Sequence, residues 1–113
     1  MNDGIYSVSF ATPTMTAGKG VCYVEGGRIR GGDSAYAYFG PSQQVESKLT
    51  ASLDVVQHDP SSPSIFGPIA NFELQLSGVT EGDRFALSGG VPGNSTMTIT
   101  VRGRKIRDLP IST

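Results

Sequence analysis

Apolar and polar positions alternate along most of this chain with a period of two, the repeat of a strand whose side chains point in turn to opposite faces. Residues 45 to 55 carry the pattern with most contrast. Val45, Ser47, Leu49, Ala51, Leu53 and Val55 fall on one face, and Glu46, Lys48, Thr50, Ser52 and Asp54 on the other. Residues 4 to 10 set Tyr6, Val8 and Phe10 against Ile5, Ser7 and Ser9. In residues 70 to 77, Phe72, Leu74 and Leu76 oppose Glu73, Gln75 and Ser77, and in 83 to 88, Phe85 and Leu87 oppose Arg84 and Ala86. Residues 96 to 104 align Met97, Ile99 and Val101 against Thr96, Thr98, Thr100 and Arg102. With three shorter runs at 21 to 24, 28 to 30 and 35 to 39, the pattern predicts about eight strands. No stretch has helical periodicity.

The connections carry turn chemistry. Glu25-Gly26-Gly27 suits a tight hairpin, Gly31-Gly32-Asp33 and the run from Gly89 to Asn94 suit turns, and Thr80-Glu81-Gly82-Asp83 reads as a hairpin loop. Links this short join neighbouring strands antiparallel. Only Asp59 to Pro68, with three prolines and three serines, is long enough for a surface loop or lid. Eight strands in meander order favour closing the sheet on itself, giving an all-β, up-and-down antiparallel barrel. A barrel of that size is either filled by its own side chains or holds one small ligand. The cavity-lining candidates are Tyr6, Val8, Phe10, Leu49, Leu53 and Phe72.

Composition agrees with this picture and bounds the chemistry. At 113 residues the chain is expected to be a single domain, residues 1 to 113, and its 15 Gly and 7 Pro favour short segments joined by turns. The formal net charge is -1, so a nucleic-acid partner is not expected. The N-terminal residues lack the basic and apolar regions of a secretory signal, and no run is long and apolar enough to cross a bilayer, so a cytoplasmic protein with no membrane partner is expected.

Candidate catalytic chemistry is thin. His58 stands beside Asp59, but neighbours at a strand end point apart, so the pair reads as an ordinary loop edge. Cys22, the only cysteine, sits in an apolar run and reads as buried and inert. The glycines follow no phosphate-loop spacing. No catalytic residue, metal ligand or cofactor is expected, and the chain reads as a non-enzymatic binding module. Arg102, Arg104, Lys105 and Arg107 form the one basic cluster in sequence, with Arg102 and Arg104 sharing an outward face.

Three stretches resemble the GrlR-like family of bacterial type III secretion negative regulators. They are Asp3-Gly4-Ile5-Tyr6-Ser7-Val8-Ser9-Phe10; Gly18-Lys19-Gly20-Val21 with the later Ile29-Arg30-Gly31-Gly32-Asp33; and Tyr38-Phe39-Gly40. The resemblance spans residues 3 to 40. It implies a lipocalin-like barrel with a mainly apolar cavity, a homodimer, and regulation of transcription by docking on a protein such as an activator. It implies no catalysis. The family's acidic docking run should follow Gly40, where this chain has Pro41-Ser42-Gln43-Gln44-Val45-Glu46-Ser47 with one carboxylate. The fold therefore carries over further than the partner does. Gln43, Gln44 and Glu46, in an expected loop at residues 41 to 47, together with Arg102 and Arg104, are the candidate partner surfaces. The alternative function is a carrier or sensor of a small apolar ligand.

Overall fold

A computed structural model of the protein describes residues 1–13, 16–61 and 71–109. In them the alternation resolves into eight strands: β1 (Gly4–Ala11), β2 (Thr16–Glu25), β3 (Arg28–Gly32), β4 (Tyr36–Val45), β5 (Lys48–Gln57), β6 (Asn71–Glu81), β7 (Arg84–Gly90) and β8 (Thr98–Asp108). Each strand pairs antiparallel with the next in sequence, and β8 returns to β1. The result is a closed up-and-down barrel, the fold class the periodicity predicts. Closure gives every strand a hydrogen-bonded neighbour on both sides, though the short β3 and β7 leave the ends of β2, β4 and β6 extending past their pairing.

The inward positions form one apolar core. Tyr6, Val8, Cys22, Val24, Ile29, Leu49, Ala51, Leu53, Val55, Leu74, Leu76, Phe85, Leu87, Ile99 and Val101 are all buried and in mutual contact. Burying each large apolar side chain contributes roughly 1.5–3 kcal/mol, so a one-residue register slip, which would turn a whole strand inside out, is strongly disfavoured. Aromatic pairs knit the interior: Tyr6 with Phe85, Phe10 with Tyr38, and Tyr36 with Phe72, at centroid separations of 5.4, 5.5 and 5.7 Å. Gly103 makes room for one of these rings. It faces inward opposite Phe85, and a Cβ there would collide with the Phe85 ring.

The strand directions give the barrel two distinct ends. At the lower end, two-residue turns at Gly26-Gly27, Glu46-Ser47 and Gly82-Asp83 lie beside the start of β1 and the end of β8. This end is laced shut. The Tyr6 hydroxyl donates to the Asn2 carbonyl at 2.6 Å, and the Gly26 amide donates to Asp3 at 3.1 Å. The Lys105 ammonium pairs with Asp83 at 3.0 Å and Asp108 at 2.6 Å. Met1 packs against the core. The upper end carries the longer connections, and of the aromatic side chains near it Phe10 and Phe72 are only partly buried, while Tyr36, against Phe72, is buried.

The structure departs from the sequence pattern in several places, among them Gly89 and Gly90, which end β7 rather than form a turn, and β2, which begins at Thr16. Residues 41 to 47 are not a loop: β4 runs through Pro41 to Val45, and the chain reverses at Glu46-Ser47. Val45 therefore leaves the inward face it shares with Leu49 in the sequence pattern and is 71% exposed. Gly31 and Gly32 lie within β3, and the turn after them is made by Asp33, whose side chain accepts the amides of Ala35 and Tyr36 at 2.9 and 2.8 Å. Ile5, on the outer face, is nonetheless buried, opposite Tyr23 on one neighbouring strand and Arg107 on the other. β8 runs to Asp108, four residues beyond its predicted end, through an irregularity in its pairing with β1 that sets Ile106 outside the ladder. Most of the long connection from Asp59 to Pro68 lies outside the described residues.

Candidate binding surfaces

Cys22 and His58, the residues weighed for chemistry in the sequence, occupy structural positions. Cys22 is buried, and burial pushes its thiol up to about 12, so it is protonated at neutral pH and a poor nucleophile. His58 Nε2 lies 2.9 Å from the Asp33 carbonyl oxygen. A carbonyl can only accept, so Nε2 carries the proton and the ring ties the end of β5 to the β3–β4 turn. The neighbouring Asp59 carboxylate instead accepts the amide and hydroxyl of Ser61 at 3.0 and 2.6 Å, so the two side chains serve different turns.

The six cavity-lining candidates all point into the barrel. Tyr6, Val8, Leu49 and Leu53 are buried at lower and middle levels, while Phe10 and Phe72 stand near the upper end. Among the described residues, the Tyr38 hydroxyl is a buried polar atom with no hydrogen-bond partner. Burial, then the nearby Asp33 charge, raises its pKa, so it stays a neutral donor. It projects toward Gly20, where a Cβ would collide with it.

The candidate partner surfaces are not one surface. Gln43 and Gln44 lie on the exposed end of β4, and Glu46 forms the turn that follows. Glu46 has φ of 57°, a left-handed conformation uncommon for a residue with a Cβ, held by a bond from Gln44 Nε2 to its carbonyl at 2.8 Å. Arg102 and Arg104 project outward from β8. β4 and β8 are four strands apart in either direction round the wall, so the two groups face opposite ways.

Cross-strand register adds two features that sequence order hides. The first is cationic. Arg102 stands opposite Ser9, which stands opposite Lys19, while Arg104 stands opposite Ser7 on one side and Arg84 on the other. Lys19, Arg84, Arg102 and Arg104 thus surround two serines on the outer wall. None of the four has an ion-pair partner among the described residues. Like charges directly opposite across a ladder destabilise it, by an order of ~0.2–1 kcal/mol for a pair such as Arg84–Arg104.

The second feature is apolar. Val21, Tyr23, Phe39 and Val56 are exposed large side chains on β2, β4 and β5. Tyr23 stands opposite Arg30, which stands opposite Phe39, and Val21 connects through Gly32 and Ala37 to Val56. The Arg30 charge inside this strip is paired with Glu25 at 3.3 Å. The strip meets the cationic group at the Ser7–Val21 pair. Arg28, also on β3, is exposed and lies three strands from β8.

Among the described residues no group of three or more His, Cys, Asp or Glu side chains is placed to hold a metal ion, and no helix is long and apolar enough to cross a membrane. No protein-family model matches the sequence, and no characterised protein is significantly similar to it.

Proposed function

We propose that this protein is a non-enzymatic, GrlR-like regulatory module of the bacterial cytoplasm that acts negatively on transcription by binding a protein partner such as an activator. The observation that carries this reading is the joined apolar and cationic area on the outer wall, from Val56 and Phe39 through Tyr23 and Val21 to Arg104. Contiguous exposed apolar area rimmed by polar groups marks protein-interaction surfaces. The inward side chains of the described residues, by contrast, pack into one apolar cluster. Apolar groups inward and mostly polar groups outward support an aqueous setting, the reverse of a lipid-facing wall.

Homodimerisation belongs to the same proposal. The Arg30 charge inside the strip is neutralised by Glu25, which leaves apolar side chains as the surface a second copy can meet. The test is genetic and biophysical together. Deletion of the gene should raise transcription of a defined set of genes, and the wild-type gene should restore repression. A Tyr23→Glu/Phe39→Glu variant that retains the wild-type circular dichroism spectrum should fail to restore it. Unchanged transcription on deletion would overturn the reading.

The carrier or sensor alternative has one observation in its favour, the unpartnered Tyr38 hydroxyl near Phe10 at the upper interior. Pockets for small molecules are mainly apolar with few placed polar groups. Native mass spectrometry decides between the readings: a stable small-molecule increment supports the carrier, and the bare protein mass supports the regulator.

A further inference from the structure

The four unpaired cations on the outer wall do more than add charge, because they border a depression. The outward residues of β1 at this level, Ser7 and Ser9, are small, whereas their neighbours are long: Lys19 on β2, Arg102 and Arg104 on β8, and Arg84 beyond. The difference in side-chain length leaves a cleft of about 290 Å³ over β1, lined by all six residues. A second depression of about 290 Å³ shares Ser9, Lys19 and Arg102 with it and continues the trough to Ala11 and Thr100. From Ser7 to Ala11 the trough follows four residue steps of strand, roughly 13 Å at 3.3 Å per residue.

From this we infer that the trough over β1 receives an extended acidic segment of a partner protein, with Lys19, Arg84, Arg102 and Arg104 pairing its carboxylates and Ser7 and Ser9 donating hydrogen bonds from the floor. The inference rests on the protein-binding reading and names the chemistry of the partner. Charge complementarity selects the occupant. Four of the chain's nine basic side chains converge here, yet the molecule as a whole is acidic by one charge. A long polyanion would extend beyond the trough into the field of a molecule that is acidic overall, with carboxylates such as Asp54 and Glu73 on the far wall. A short acidic segment meets only the trough. Single-stranded nucleic acid would use aromatic stacking groups, but the cleft at Ser7 and Ser9 has none, and Phe10 in the continuing depression packs edge-on against the inward Tyr38. Guanidinium groups, planar and permanently charged, are well suited to gripping carboxylates two-pronged.

Because the cations repel one another, removing two of them should not harm folding, which makes the test clean. A fluorescein-labelled peptide with four consecutive glutamates flanked by leucines is titrated with the protein at 50 mM salt, next to the same peptide carrying glutamines. The acidic peptide is expected to bind, the glutamine peptide to bind at least tenfold more weakly, and the Arg102→Gln/Arg104→Gln variant to lose at least tenfold in affinity while its Tm stays equal or rises. Raising the salt to 300 mM should weaken the wild-type complex by a similar factor. Equal binding of the two peptides, or unchanged affinity in the variant, overturns the inference. So does tighter binding of a short DNA duplex or of phosphatidylserine vesicles than of the acidic peptide. If the peptide fails but the gene still represses transcription, the trough alone is wrong; if repression is also absent, the regulatory reading falls with it.

Discussion

At the scale of single residues, two positions report on local packing inside the barrel. Gly103 has no Cβ because the Phe85 ring occupies that space. Gly103→Ala should therefore cost about 1–3 kcal/mol through overpacking, read as a lower urea midpoint with little change in slope. Cys22 reports on burial through its acid–base behaviour. Its pKa rises from 9.0 to about 12, so between those values the folded state holds a proton that the unfolded state has released. Stability from this group is then full below about pH 9 and declines as pH rises toward 12. Urea titrations between pH 8 and 11 should show that decline, and Cys22→Ala should remove its share. A thiol reagent should label Cys22 only after unfolding. The burial of Cys22 is legible in the apolar run Val21 to Val24, whereas the need for glycine at 103 is not, because Phe85 lies on another strand.

At the scale of elements, the lower end depends on the clasp between β8 and the β6–β7 turn. Hydrogen bonds to Asp108 and then Asp83 hold the Lys105 ammonium pKa above the usual lysine value of 10.5. The group's stabilisation is thus complete below that value and is lost as pH rises through the higher folded pKa. Lys105→Met should lower Tm at pH 7 and speed amide exchange in residues 2 to 5, with the gap to wild type shrinking above pH 11. The strands themselves were legible wherever alternation ran unbroken between glycine turns, as in β1, β6 and β7. The β4–β5 hairpin was not. Pro41 sits inside a strand opposite Arg28, and the reversal uses Glu46 in a left-handed conformation where glycine or asparagine would be the usual signal. Alternation from Val45 to Val55 looks continuous in sequence, yet the two-residue turn pairs Val45 with Lys48 and so reverses the phase, which puts Val45 on the outer face.

At the scale of the whole molecule, register creates what composition conceals. Arg102 and Arg104 are legible as an outward pair, but Lys19 and Arg84 join them only because β2 and β7 flank β1 and β8 in the closed wall. Tyr23, Phe39 and Val56 are likewise scattered in sequence and continuous in space. The apolar strip carries its own expectation: sedimentation at micromolar concentration should give a dimer for the wild type and a monomer for Tyr23→Glu/Phe39→Glu. A wild-type monomer across that range would remove self-association from the proposal.

The pairing of β1 with β8 has a further consequence for the order of the chain. Gly4 and Asp108 are direct partners, so the two terminal strands meet as closely as any hairpin does. In an up-and-down barrel every seam between neighbouring strands is then topologically alike. A short linker from the end of β8 to the start of β1, with new ends cut at Gly26-Gly27, should yield a circular permutant with the same wall. The barrel is in effect a ring, and the point at which its sequence begins is a matter of genetics more than of architecture.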